Sequence, residues 1–159
     1  MPNGLSHDPQ WDNILAGYEA FFAPIGTSLI AFAARHNLAL EKYYHDAPCW
    51  SLRFAHPSGG EAKVEVWRNT DKTVKVTGVW WYDDYDAFTR NLRYAEDILC
   101  EPISETIEPA LLKTLRAVTA FEPGSWSQVA SGYRKYWERT WSKSQFEKLN
   151  AWLPKPKLD

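Results

Sequence analysis

The chain has 159 residues, enough for one domain with a core of its own, and a formal net charge of −2. This balance gives no support for a nucleic-acid or an acidic partner, and 45% apolar with 24% charged residues is ordinary for a soluble globular protein. The two cysteines, Cys49 and Cys100, have no CxxC or His-rich spacing, which argues against a disulfide framework and a structural zinc site.

The aromatic content is high, with nine Trp, eight Tyr and seven Phe. Such rings bring large buried areas to a core, and they can also supply a binding surface. The N-terminus lacks the basic and apolar regions of a signal peptide. The longest apolar stretch, residues 25–34, is too short to span a bilayer. We therefore expect a cytoplasmic protein without membrane contact.

Two N-terminal helices are predicted before residue 38. Asp8 is suited to cap the first helix and Pro9 to occupy its first position. Pro24 should break or kink the chain, and a second helix should end at Asn37, which suits a helix C-cap. The apolar residues of the first helix recur at helical spacing: Trp11, Ile14, Leu15, Tyr18 and Phe22.

From residue 38 the apolar period changes from 3.6 to 2, which predicts an antiparallel meander with one buried face. Four strands are expected near residues 38–44, 50–55, 63–67 and 74–82. Residues 88–99 fit either a helix or a fifth strand. We favour a strand beginning near Thr89, because Glu101 and Pro102 follow at once and no helical C-cap is visible.

The alternation also predicts the register between the third and fourth strands. A loop of residues 69–71 would pair Val66 with Val74 and place the valines of both strands on one face. Asp71 would then adopt the left-handed conformation that Asp tolerates. In this register residue 80 lies opposite residue 60, so the strand that ends in Trp80, Trp81 and Tyr82 extends beyond its neighbour.

The C-terminal third is predicted to be helical. Thr106 would cap one helix, with Leu111, Leu112, Leu115 and Val118 buried, and Ser125 would cap the next. A solvated basic tail would begin at about residue 154. The expected fold class is α+β, a single domain of residues 1–159 with N-terminal helices, an antiparallel four- to five-stranded meander and C-terminal helices packed on one face.

The stretch GVWWYDDYD, residues 78–86, carries the candidate site. Tryptophan and tyrosine are frequent energetic anchors of interfaces, and acidic neighbours would steer a basic partner. We therefore predict a non-catalytic intracellular protein-binding module, such as an inhibitor or immunity-type partner of another protein. Its binding residues would be Trp67, Trp81, Asp83, Asp84, Tyr85, Asp86 and Arg90.

A small-ligand pocket or an unrecognised enzyme is the alternative, with rings from the fourth strand and the terminal helices around a cavity. Its polar candidates would be Arg53, Glu65, Arg90 and the three aspartates of the stretch. A second alternative is nucleic-acid binding through the C-terminal helix, since residues 125–159 hold seven Lys/Arg against three Asp/Glu. Tyr133, Trp137 and Trp141 lie one above another at helical spacing, however, which favours a core-facing stripe.

The sequence contains no motif that supports a metal site or a catalytic residue. The three aspartates lack the glycine and glutamate positions of a calcium loop, and they more simply cap a turn or a following helix. His45 and His56, with Asp46, could approach on neighbouring strands, but two surface histidines near turns is the simpler interpretation. No nucleophile elbow, phosphate loop or dinucleotide motif is present. We predict no catalytic residue, no metal and no cofactor.

Overall fold

The structure is a computed structural model that describes residues 9–44, 48–57, 61–82, 90–93, 97–120 and 153–158, with the backbone alone described at 80–82 and 90–93. It confirms an α+β fold in which an antiparallel sheet follows one helix and precedes another in the sequence. Helix α1 (Pro9–His36) comes before the sheet and α2 (Ser104–Ala120) after it. The strands are β1 (Ala39–Tyr44), β2 (Pro48–Ala55), β3 (Glu61–Arg68), β4 (Val74–Tyr82), β5 (Arg90–Arg93) and β6 (Ile98–Cys100).

Of the two outcomes expected at Pro24, a break or a kink, the break does not occur, because α1 continues through it as one helix of 28 residues. Proline removes one hydrogen bond to the carbonyl four residues earlier, that of Ala20. Pro24 and Ala20 both lie on the exposed side of α1, so water can hydrate the freed carbonyl. The cost is therefore smaller than it would be on the buried side.

The predicted end of α1 at Asn37 is confirmed. Asn37 has a φ of 57°, the left-handed conformation that favours Gly or Asn at this place. The Leu38 N–H donates to the carbonyl of Ala33 at 2.8 Å, and the Asn37 N–H donates to that of Ala34 at 3.4 Å. This Schellman arrangement satisfies two carbonyls of the last turn and sends the chain directly into β1.

Strands β1 to β4 form a meander in sequence order, and both helices cover one side of it, which we call the core face. Helix α1 packs over β1 and β2, where the ring of Phe22 stacks on Trp50 at 5.3 Å. Helix α2 packs over β3 and β4, and Ser28 of α1 hydrogen-bonds Ser104 of α2 at 2.7 Å. The residues buried on α2 are Ile107, Ala110, Leu111, Thr114, Leu115 and Val118.

Thr106 does not cap α2 as expected, since the helix begins two residues before it, at Ser104. The Thr106 hydroxyl instead donates to the carbonyl of Glu101 at 2.7 Å and to that of Ile103 at 3.1 Å. It closes the turn that leads into α2. The expected helix after Ser125 lies outside the described residues.

The predicted register between β3 and β4 is wrong by two residues. Val66 pairs with Val76 rather than Val74, so Trp80 lies opposite Ala62 and Trp81 opposite Glu61. Strand β4 therefore does not extend beyond its neighbour to the degree expected. A slip of two residues preserves the faces, so the expected grouping of the valines on the core face is confirmed.

The turn between these strands explains the slip. Lys72, not Asp71, is in the left-handed conformation, with a φ of 64°. The Asp71 carboxylate accepts hydrogen bonds from the Thr73 N–H at 3.0 Å and from its hydroxyl at 2.5 Å. The Lys72 N–H donates to the carbonyl of Asn69 at 3.0 Å. The three-residue loop is thus 70–72, one position later than predicted.

The fifth strand is confirmed and is interrupted. Strands β5 and β6 both pair antiparallel with β4, along the edge that β3 leaves open. Four residues separate β5 from β6, whereas only Thr77 and Gly78 separate their partners in β4.

The first three turns of α1 contribute less to the core than their apolar spacing predicts. Trp11 and Ile14 are 38% and 42% exposed, whereas Phe22, Ile25 and Leu29 are fully buried. By length and composition alone, α1 could cross a membrane, although core helices and signal sequences meet the same criterion. The expectation that the apolar stretch is too short therefore does not hold for the helix as a whole.

The C-terminal tail is not fully solvated, contrary to expectation. Leu153 is only 5% exposed, and the carbonyl of Pro154 accepts a hydrogen bond from the Ala55 N–H at 2.8 Å. We call residues 153–158 the strap, because they tie the end of the chain to β2 and to the end of α1.

Candidate functional site on the outer sheet face

The side of the sheet opposite the core face, here called the outer face, is not covered by α1 or α2. The strand registers place four cross-strand rows on it. The two central rows are Glu41, Ser51, Glu65 and Thr77, and Ala39, Arg53, Lys63 and Val79. They contain acids, bases and hydroxyls, whereas the core face of the same strands is built largely from valines, leucines and rings.

Arg53 organises the charges of this face. Its Nη1 donates to Glu41 Oε2 at 2.7 Å, and its Nε donates to Glu61 Oε1. Glu41 also accepts a hydrogen bond from the Tyr43 hydroxyl at 2.5 Å. One guanidinium therefore bridges β1, β2 and β3, and its fork fixes both carboxylates in place.

The burial of these groups differs, and their acidities differ accordingly. Burial raises the pKa of Glu61, although Arg53 opposes that effect. The hydrogen bond from Tyr43 lowers the pKa of Glu41, and Arg53 lowers it further. Burial and the bond to Glu41 raise the pKa of Tyr43 to about 12. At neutral pH the Tyr43 hydroxyl thus stays a donor.

Aromatic side chains flank the charged rows. Tyr43 is 38% exposed and Trp67 is half-buried. The Lys63 ammonium lies 5.9 Å from the Tyr43 ring centroid, and that of Lys75 lies 5.9 Å from the Trp67 ring. A cation beside the ring restrains these side chains before any partner binds. Tyr and Trp can therefore offer a large contact area to a partner with little further loss of side-chain entropy.

Two buried hydroxyls lie on either side of Glu65 in one cross-strand row. Ser51 pairs with Glu65 and Glu65 with Thr77, and Ser51 and Thr77 are 0% and 1% exposed. Within the described part of the chain, neither hydroxyl has a hydrogen-bond partner. A buried polar atom without a partner is uncommon, and it is often where water or a ligand group binds.

Cys49 lies beside this row and is 1% exposed. Burial raises the pKa of Cys49, and the charge of Glu65 raises it further. Its thiol therefore stays protonated at neutral pH, which is the opposite of what a nucleophilic cysteine needs. Cys49 acts as a packing residue of the outer face.

The structure brings only part of the predicted site together. Trp67 lies on the outer face, and the register places Trp81 on it opposite Glu61. Arg90 pairs with Tyr82 in the backbone register of β5 on β4. Asp83, Asp84, Tyr85 and Asp86 lie outside the described residues.

The expected pair of surface histidines is wrong for His56. This residue is 3% exposed, and its Nε2 donates to the carbonyl of Val118 at 2.8 Å. Burial lowers the pKa of His56, which favours the neutral ring at physiological pH. His56 thus fastens the end of β2 to the last turns of α2. His45 lies outside the described residues, and the described ranges contain no cluster of three or more potential metal ligands.

Sequence reasoning missed the Arg53 bridge and Tyr43. The signal was present, because Glu41, Tyr43, Arg53 and Glu61 all occupy the strand positions that alternate away from the core. Only the register between β1, β2 and β3 shows that they converge. A scan against protein-family models found no match, and neither did searches of the curated proteins and of the solved structures.

Proposed function

We propose that this protein binds another protein through the outer face of its sheet and that this role is non-catalytic. The observation that carries the proposal is the exposed edge of this face, where Tyr43 is 38% exposed and the Arg53 bridge fixes the side chain of Glu41, which is 43% exposed. Charged groups that are fixed before binding lose little conformational entropy when a partner arrives.

Tyr43 and Trp67 are the expected anchors of this interface. Both lie in the outer row that Cys49 and Lys75 also share, and both retain exposed ring surface. Tyr and Trp are enriched among the residues that dominate binding energy, especially when polar groups surround them. The register adds a third ring position, Trp81, at the other end of the face.

The partner's surface would be basic and partly apolar. Strand β4 ends at Tyr82, and three aspartates follow within the next four residues of the sequence. These aspartates would attract a basic surface and raise its association rate. An intracellular inhibitor of a basic protein would fit this chemistry.

Affinity capture with matched baits tests the proposal. Wild-type chain, Trp67→Ala and Ile30→Ala serve as baits, since Ile30 is 54% exposed on α1 away from the outer face. The proposal expects a protein that is retained by wild type and Ile30→Ala and lost with Trp67→Ala. Equal retention by all three baits would refute binding through the outer face.

A small polar ligand is the second candidate, and the unpartnered hydroxyls of Ser51 and Thr77 favour it. A ligand with hydrogen-bonding groups would satisfy both while Glu65 lies between them. Native mass spectrometry of protein purified from its source tests this candidate. A retained molecule of fixed mass that is lost from Ser51→Ala and Thr77→Val would support it, and an empty protein would count against it.

A further inference from the structure

The strap binds the domain mainly through its backbone. The Lys157 N–H donates to the carbonyl of His36 at 2.8 Å, and the His36 Nδ1 donates to the carbonyl of Lys157 at 2.6 Å. Asn37 Nδ2 donates to the carbonyl of Lys155 at 2.8 Å. With the bond from Ala55 to Pro154, four hydrogen bonds all end on main-chain atoms of the strap.

The strap occupies an open edge of the sheet. Strand β1 begins at Ala39, opposite Arg53, so Ala55 of β2 lies two residues beyond its end. The carbonyl of Pro154 accepts the N–H of Ala55, which would otherwise have no strand beside it. Pro154 and Pro156 have no N–H of their own, so the strap offers fewer donors to a further strand than an ordinary edge strand does.

The groove that holds the strap is formed by His36, Asn37 and Ala55. His36 is 2% exposed and contacts the Phe32 ring, with 4.4 Å between the ring centroids. The Lys155 and Lys157 side chains are exposed, whereas Leu153 is buried. Such a groove selects an extended main chain with one apolar side chain and tolerates variation at the lysine positions.

We propose that this groove is a peptide-binding site and that the strap is its resident, detachable ligand. The strap docks at the surface of the fold through four hydrogen bonds and one buried side chain, that of Leu153, so it opens at a lower free energy than the core. An extended proline-containing segment of the same sequence, supplied by a second copy of the chain, occupies the groove when the resident strap is released.

Native-state hydrogen exchange on the full-length chain tests this proposal. In Asn37→Gly the strap loses the bond to Lys155, while glycine keeps the left-handed cap of α1 without strain. We expect the amides of Ala55 and Lys157 to exchange about fivefold to tenfold faster than in wild type. The amide of Leu38, which reports the helix cap, should exchange at an unchanged rate.

A synthetic peptide of residues 153–159 completes the test. Added in excess to isotopically labelled Asn37→Gly, it should shift the Ala55 amide resonance in a saturable manner, and a peptide of reversed sequence should not. Unprotected Ala55 and Lys157 amides in wild type would show that the strap is not docked in solution. Exchange of both amides only by global unfolding, or no shift at saturating peptide, would equally overturn the proposal.

Discussion

Arg53 reaches diagonally from β2 to Glu61 of β3, and the two side chains of this ion pair are only 15% and 9% exposed. The other arm of the guanidinium meets Glu41 in β1. A charge pair with little solvent around it is sensitive to the loss of either member, because the remaining charge loses its partner but stays buried. The placement of both carboxylates therefore depends on Arg53.

Removal of that arginine should be costly. In Arg53→Ala, Glu61 stays buried without its cation, and we expect a loss of about 2–3 kcal/mol in the free energy of unfolding. Arg53→Lys keeps the positive charge but not the forked guanidinium, so its free energy of unfolding should lie between those of wild type and Arg53→Ala. Urea titration monitored by tryptophan fluorescence measures both. If Arg53→Ala unfolds at the wild-type urea midpoint, the bridge does not stabilise the outer face.

Glu61 should make stability fall as the pH rises through the weakly acidic range. Its folded pKa is raised above the ordinary value of 4.5, so the folded protein holds this proton more tightly than the unfolded chain does. The resulting stabilisation is fully present below the unfolded pKa and is lost as the pH rises through the folded pKa.

Glu61→Gln isolates this contribution because it stays neutral. Its stability relative to wild type should increase between about pH 4 and pH 7, measured by urea unfolding at each pH. If instead the stability of wild type increased relative to that of Glu61→Gln as the pH rises, the attraction of the Glu61 carboxylate to Arg53 would outweigh the cost of its burial.

The buried hydroxyls of Ser51 and Thr77 give a test of whether anything binds them. If they have no partner, Thr77→Val and Ser51→Ala each remove an unsatisfied polar atom and should leave the free energy of unfolding unchanged or raise it by about 1 kcal/mol. Thermal unfolding of the purified protein measures this. A clear loss of stability in either variant would show that its hydroxyl makes a hydrogen bond to water or to a ligand.

Two glycines of α1 form a matched pair. Nothing lies within 4 Å of a Cβ placed at Gly17, whereas one placed at Gly26 lies 3.2 Å from the Trp50 ring. Gly17→Ala should stabilise the protein by about 0.5–1 kcal/mol through helix propensity. Gly26→Ala gains the same propensity but presses on Trp50, so its net effect should be smaller or destabilising. Equal gains in chemical denaturation would contradict the close packing of α1 on β2.

The alternation of β3 and β4 predicted the faces of the sheet correctly, because parity survives a shift of two residues. The register itself depends on the turn, where Asp71 bonds Thr73 and Lys72 takes the left-handed position. Side-chain bonds from Asp to the residue two positions on are a local signal, and they could have placed the loop. Conformational propensity favours Asp over Lys for a left-handed residue. The hydrogen bonds from Thr73 to the Asp71 carboxylate nevertheless place Lys72 in that conformation.

The alternation and spacing of apolar residues do not predict contacts between residues that are distant in the sequence. The proline-containing strap shows no periodicity, so nothing in it indicates that Pro154 would bond Ala55 across the fold. His56 is similar, since a histidine next to a turn is usually exposed, and only the packing of α2 buries it. The Arg53 bridge requires the register of three strands at once, which alternation alone does not supply.

The central claim is that the outer face is a protein-binding surface, and the affinity of the captured partner tests it most directly. Isothermal titration calorimetry compares wild type, Tyr43→Ala with Trp67→Ala in one chain, and the control Ile30→Ala. We expect the double variant to keep its fold and to raise the dissociation constant at least about tenfold, while the dissociation constant of the control stays at the wild-type value. Wild-type affinity in the double variant would contradict the claim.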